Sequence, residues 1–140
     1  MKIIVYMQSS AGKINAISLE SLVAAQKLKE NKEAEIYAAT FSDDIANQLT
    51  TYDVNGVLHV NNENLLNYSP LHYIETFSQL HANYHPDFFI FGHTYETRDW
   101  VPRLSARLDF PFLSDCIGMN LEGAITFTRA LYQNKINVDL

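Results

Sequence analysis

The chain is short of several residue types, and each shortage narrows its chemistry. A single cysteine, Cys116, in 140 residues rules out an intrachain disulfide and a cysteine-rich zinc site. Basic residues are outnumbered, with Lys plus Arg at 10 against Asp plus Glu at 16. The resulting charge of −6 argues against non-specific binding to nucleic acid or to an anionic membrane. No apolar run approaches the roughly 20 residues that a bilayer-spanning helix needs. The apolar start, KIIVYM, is far too short for a signal peptide and reads as a first buried strand. Glycine is scarce as well. The first loop, residues 8–15 (QSSAGKIN), holds only Gly12 and matches neither GxGxxG nor GxxxxGK[ST], the dinucleotide and phosphate-loop fingerprints. There is no internal repeat and no low-complexity tract.

What remains is an ordinary globular composition, 47% hydrophobic and 19% charged. The length predicts one domain, which on folding hides about 70% of its unfolded surface, enough for a core without staples. With one cysteine, the expected setting is reducing: the cytoplasm, or the mitochondrial matrix in a eukaryote.

Strand and helix patterns alternate. Residues 2–7, 35–41, 57–60 and 88–91 read as buried strands, rich in β-branched and aromatic residues. Between them come helical patterns. The first starts near Asn15 or Ser18 and carries Leu19, Leu22, Val23, Ala25 and Leu28, with Lys27, Lys29 and Lys32 late, where cations suit the helix dipole. The second is capped by Ser42 and followed by Asp43 and Asp44. The third opens on Ser69-Pro70, places Ile74, Phe77, His81 and Tyr84 on one side, and stops at Pro86. The fourth has Val101, Leu104 and Leu108 at i, i+3 and i+7. A second apolar piece, which reads as a further short strand, follows at 110–113. Residues 116–119 and 125–131, joined by NLEG, read as an antiparallel hairpin, and 135–140 as the start of another strand. The prediction is α/β: a doubly wound, mostly parallel sheet with helices on both faces, and antiparallel strands from the tail at one edge.

In such sheets ligands or partners meet the strand-to-helix tips. The tip at Gly92, residues 93–97, faces the 8–15 loop across the sheet's carboxyl edge. Gly12, Gly92 and Thr94 are therefore weak candidates for a nucleotide site, and an ordinary connection is the plainer reading. Cys116 has no histidine base at any telling spacing, and its apolar neighbours favour a buried thiol over a nucleophile. Of His59, His72, His81, His85 and His93, only His81 and His85 share helical spacing, and no third ligand is evident, so no metal is predicted. His93 stands out only for sitting on a strand-end tip. Asp99, Arg103 and Arg107 lie at i, i+4 and i+8 and predict an ion-pair ladder. Arg98 and Asp99, at the helix start, are candidates for anchoring the loop or a partner. Trp100 beside them is either a core plug or an interface anchor.

These same residues carry a resemblance. The stretch GHTYETRDWVPRLSARLDFPFLSD resembles the amino-terminal domain of the electron transfer flavoprotein alpha subunit. The matching positions are Gly92, Thr94, Arg98-Asp99, Pro102-Arg103-Leu104, Ala106-Arg107-Leu108 and Ser114-Asp115. Phe127-Thr128-Arg129 with Tyr132, Tyr68-Ser69-Pro70, and the opening strand, Gly-Lys loop and first helix are similar too. The chain departs from the pattern at Thr97, Ala130 and Asn134, where the family has glycine, proline and glycine.

The resemblance implies an adenine nucleotide alpha hydrolase-like (Rossmann-like) fold. It also implies that residues 1–140 are the first domain of a longer subunit, with the carboxy-terminal FAD domain absent. Such a domain is a non-catalytic scaffold packing on a beta subunit. FAD sits in the parent complex and is not expected on this chain alone. The parent carries electrons from dehydrogenases to a membrane quinone reductase. Arg98, Asp99, Arg103 and Arg129 would then be interface or loop-anchoring residues. The alternative is a free-standing adenine-nucleotide-binding domain resembling universal stress proteins, whose phosphate signature this sequence lacks.

Overall fold

The computed structural model describes residues 1–113, 116–122, 126–131 and 136–139. In chain order these form β1 (Lys2–Tyr6), β2 (Ser9–Ser10), β3 (Lys13–Ile14), α1 (Ala16–Asn31), β4 (Glu35–Thr40), α2 (Asp43–Leu49) and β5 (Gly56–His59). Then come α3 (Pro70–Tyr84), β6 (Phe88–Ile90), α4 (Tyr95–Leu108), β7 (Cys116–Asn120), β8 (Thr126–Leu131) and β9 (Ile136–Asp139). A parallel sheet of order β5-β4-β1-β6 is the centre, in register Ile3↔Ile36 and Ile3↔Phe88. The strand order reverses between β1 and β6, because the chain first steps one way from β1 and then returns to its other side.

Because side chains alternate along a strand, β1 feeds both faces. Ile3, Val5 and Met7 join Leu22, Ala25, Leu28, Ile36, Ile45 and Leu49 beneath α1 and α2. Ile4 and Tyr6 join Tyr73, Ile74, Phe77, Trp100 and Leu104 beneath α3 and α4. Trp100 is 0% exposed and is a core plug. The doubly wound α/β expectation is thus met, helices covering both faces.

Five local expectations are corrected. Residues 8–15 are a small hairpin rather than a loop. Ala11 and Gly12 both take positive φ, 51° and 77°, the backbone of a two-residue hairpin turn that lets β2 pair with β3. In α1 the buried stripe is Ser18, Ser21, Leu22, Ala25 and Leu28, while Val23 is 48% exposed. The small serines let the helix approach the sheet, and Ser18 accepts a bond from Gln8 N at 3.0 Å. Strand β6 is half-buried rather than fully buried, since it is an edge of the described sheet. The apolar piece at 110–113 forms no strand, and Phe110, Phe112 and Leu113 are all exposed. Finally, the tail strands form a separate antiparallel sheet, β7-β8-β9, instead of extending the main one. Met119 and Leu121 pack that region onto the α1/α2 face.

Helix starts follow the cap residues. Asn15 and Ser42 accept from the N–H groups of Ile17 and Ile45. Pro70 is in the first turn of α3, but Ser69 makes no cap bond; its Oγ lies 2.6 Å from His72 Nδ1. Residues Ser114, Asp115, Tyr132, Asn134 and Lys135, named above for the resemblance or for a last strand, lie outside the described residues.

Candidate functional site

The reversal between β1 and β6 is where an open α/β sheet leaves a crevice. Here the crevice is built from the chain leaving β1 and the chain leaving β6. Gln8 follows β1, and its carbonyl accepts from Asn15 N at 2.9 Å, folding the hairpin back to the start of α1. Thr94 follows β6, and its Oγ1 donates to Gln8 Oε1 at 2.8 Å, tying the two strand ends together. Behind that bond Gly92 lies against Ile17. A Cβ built on Gly92 would stand 2.8 Å from Ile17 Cγ2 and 3.1 Å from its carbonyl carbon, so only glycine fits.

Thr97, where the resemblance implies glycine, has a structural role of its own. It is 5% exposed, its Oγ1 donates to the Gly92 carbonyl at 2.5 Å, and it accepts from Thr94 N at 2.9 Å. Thr94 in turn accepts from Thr97 N at 3.2 Å. The pair forms a capping box that holds both the loop and the start of α4.

Outside this knot lies a shallow cleft of about 560 Å³, lined by Gln8, Asn15 and Ile17 on one side and by His93, Thr94, Tyr95, Glu96 and Arg98 on the other. Tyr95 is 90% exposed, and the Arg98 guanidinium sits 5.9 Å from its ring centroid. Burial pushes the Glu96 carboxyl above its ordinary range. At each helix start one backbone donor is engaged by a side chain: Ile17 N by Asn15 Oδ1 at 2.9 Å, and Thr97 N by Thr94 Oγ1 at 3.2 Å. With one glycine in the hairpin and two capped helix starts, the described residues do not match the cradle of a dinucleotide such as FAD.

The structure separates the sequence candidates. Thr94 and Arg98 meet at the cleft, and Gly92 lies behind it against Ile17 without lining it. Gly12 does not line it; its carbonyl accepts from Gln48 Nε2 on α2 at 3.1 Å. Asp99 and Arg103 turn to α3. Tyr68 donates to Asp99 Oδ2 at 2.5 Å and to the Glu96 carbonyl at 3.3 Å, and Arg103 Nη2 donates to Asp99 Oδ1 at 2.8 Å. The Tyr68 bond, then Arg103, holds Asp99 below the usual carboxylate range, while burial and then Asp99 push the Tyr68 phenol up. This triad anchors the loop before α3 to α4. The expected ladder stops there, because Arg107 pairs with Glu75 of α3 instead. Arg129 stands in β8 opposite Cys116 and Val138; its side chain lies outside the described residues. Cys116 is exposed, a correction to the expected buried thiol: it stands where the chain enters the separate tail sheet, clear of the main core.

Sequence reasoning missed Gln8, Ile17, Tyr95 and Glu96. The signal for Tyr95 was present, as an aromatic placed on a polar tip; nothing marked Gln8. Among the described residues no group of three or more His, Cys, Asp or Glu could hold a metal ion, and no helix is long and apolar enough to cross a membrane.

The model of the electron transfer flavoprotein domain family matches residues 3–139. Curated relatives are electron transfer flavoprotein alpha subunits. The protein of Bacillus subtilis is 28% identical over 138 residues, covering 96% of this chain and 42% of its own length. That of Thermoanaerobacterium thermosaccharolyticum is 27% identical over 133 residues, covering 91% and 40%. That of Methylophilus methylotrophus is 24% identical over 142 residues, covering 99% and 44%. The chain thus spans about two fifths of the length of the relatives it matches.

Proposed function

We propose, from the premise that the chain belongs to the electron transfer flavoprotein domain family, that it is an assembly domain of an alpha subunit. Its role is to present a rigid surface to a beta subunit. In the parent heterodimer, FAD is held elsewhere and carries electrons from dehydrogenases to a quinone reductase. The chain itself is not a catalyst, and it works in the cytoplasm or mitochondrial matrix.

The observation that carries this reading is the knot at the strand-order reversal. Where an open α/β sheet would seat a nucleotide, Gln8 and Thr94 bond to each other and Ile17 fills the space against Gly92. Side chains of the chain itself cap both helix starts, at Ile17 N and Thr97 N. A crevice closed from within suits a scaffold better than a cofactor site.

The test is to purify the chain alone and with the beta subunit of the same organism. The expected outcome is no flavin absorbance on the isolated chain and a one-to-one complex with the beta subunit. Stoichiometric FAD on the isolated chain would sink the reading.

A second reading, an adenine-nucleotide-binding domain, is favoured by one observation, the cleft with Arg98 at its wall. Titration calorimetry with AMP and ATP separates the two. A saturable one-to-one heat would establish nucleotide binding, and none at millimolar ligand would remove it.

A further inference from the structure

Three arginines lie on α4, and two have carboxylate partners. Arg103 pairs with Asp99 and Arg107 with Glu75. Arg98 has none among the described residues; its contact is the face of Tyr95. That placement is unfavourable by itself, since a cation in the first turn of a helix opposes the helix dipole. Tyr95 is equally out of place, an aromatic ring 90% exposed on a helix whose Trp100, Val101 and Leu104 are buried. Together with Ile17, 37% exposed, the ring walls the cleft that Arg98 faces.

We propose that this cleft is the socket for an acidic side chain, Asp or Glu, of the partner subunit, with Arg98 as its counter-charge. The inference rests on the assembly reading above and names the contact that reading lacks. Arginine presents a planar fork of donors that matches a carboxylate in two bonds. The Tyr95 ring holds the fork in place by its attraction for the cation, and with Ile17 it offers apolar cover for the methylenes below the carboxylate. Glu96, which lines the same cleft, adds negative charge. It therefore works against a doubly charged phosphate more than against a single carboxylate engaged by the fork. Burying the exposed ring and neutralising the unpaired cation in one step fits the usual anatomy of an interface anchor, in which Arg and Tyr are prominent.

The experiment is calorimetry of the full chain with the beta subunit of the same organism, in low and physiological salt. Arg98→Ala is expected to weaken binding about tenfold to a hundredfold and to flatten the salt dependence. Arg98→Lys recovers part of the loss, because it keeps the charge but not the fork. Tyr95→Ala weakens binding by a few-fold. Lys27→Ala, which removes an equal charge on exposed α1 surface, leaves affinity unchanged. Thermal melts of each variant alone are expected to match the parent, since all three replaced side chains are exposed. If the parent chain forms no complex, the assembly reading fails. If it forms one and Arg98→Ala binds as tightly, the socket fails and the assembly reading stands. Should AMP or inorganic phosphate raise the melting temperature of the parent but not of Arg98→Ala, the cleft is a small-anion site and the proposal is overturned.

Discussion

The two faces of the central sheet are packed on different principles. Under α1 and α2 the core is aliphatic and small: Ile3, Val5, Leu22, Ala25, Leu28, Ile36, Ala38 and Leu49. Under α3 and α4 it is aromatic: Tyr6, Phe77 and Trp100, with Phe41, Tyr73, Phe89 and Phe91 around them. Most of these rings meet edge to face or tilted, at centroid distances such as 5.5 Å for Tyr6–Phe77 and 5.2 Å for Phe91–Trp100. The aliphatic face gains from close approach and carries few polar atoms. The aromatic face gains from area, but it also buries phenols and an indole N–H that has no hydrogen-bond partner among the described residues. Among the described residues the buried phenols, and with them sensitivity to alkaline pH, therefore lie on one side of the sheet.

Mutations should divide along that line. Trp100→Ala, emptying the centre of the aromatic face, is expected to lower stability by about 4 kcal/mol in urea unfolding. Trp100→Phe should lose much less, since it also removes the unpartnered N–H. Leu28→Ala on the aliphatic face should lose about 3 kcal/mol; a loss equal to that of Trp100→Ala would show that ring area gives the aromatic face no advantage. Gly92→Ala drives a methyl into Ile17, and a drop of roughly 2 kcal/mol in thermal stability is expected. Thr97→Ala opens the capping box for about 1 kcal/mol.

The smallest effect is the most diagnostic. Burial pushes the Tyr6 and Tyr73 phenols up from their ordinary value near 10. The folded state then binds those protons more tightly than the unfolded state. Their contribution is complete below about pH 10 and is lost as pH rises beyond it. Tyr6→Phe should flatten this alkaline loss, whereas Leu28→Ala should lower the whole curve without changing its slope. Equal slopes in chemical unfolding from pH 9 to 11 would mean that the two faces do not differ in this way.

Much of the fold was legible because patterning and caps agree with it. Asn15, Ser42 and the Pro70 turn marked helix starts, and short β-branched runs marked β1, β4 and β5. The errors have physical causes. Ser18 and Ser21 look like surface residues, yet their hydroxyls bond within the α1 region, which lets them face the sheet. Ala11 gives no turn signal, because alanine rarely takes positive φ. The run at 88–91 reads as buried in any sequence window, but its burial depends on a neighbour that the described sheet does not supply. The cleft was half legible: Thr94 was marked by its place on a tip and Arg98 by its place at a helix start. Gln8 was not, because its role is a bond to Thr94, 86 positions away.

Trp100 also has an optical consequence. It is the one tryptophan in 140 residues, and it sits in a dry shell of rings at the joint between α4 and the sheet. Its emission therefore reports a single place, with no second indole to deconvolute. A red shift would mark α4 lifting from the sheet. Comparing that signal with far-ultraviolet circular dichroism would show whether α4 leaves the sheet before the α1 and α2 side unfolds.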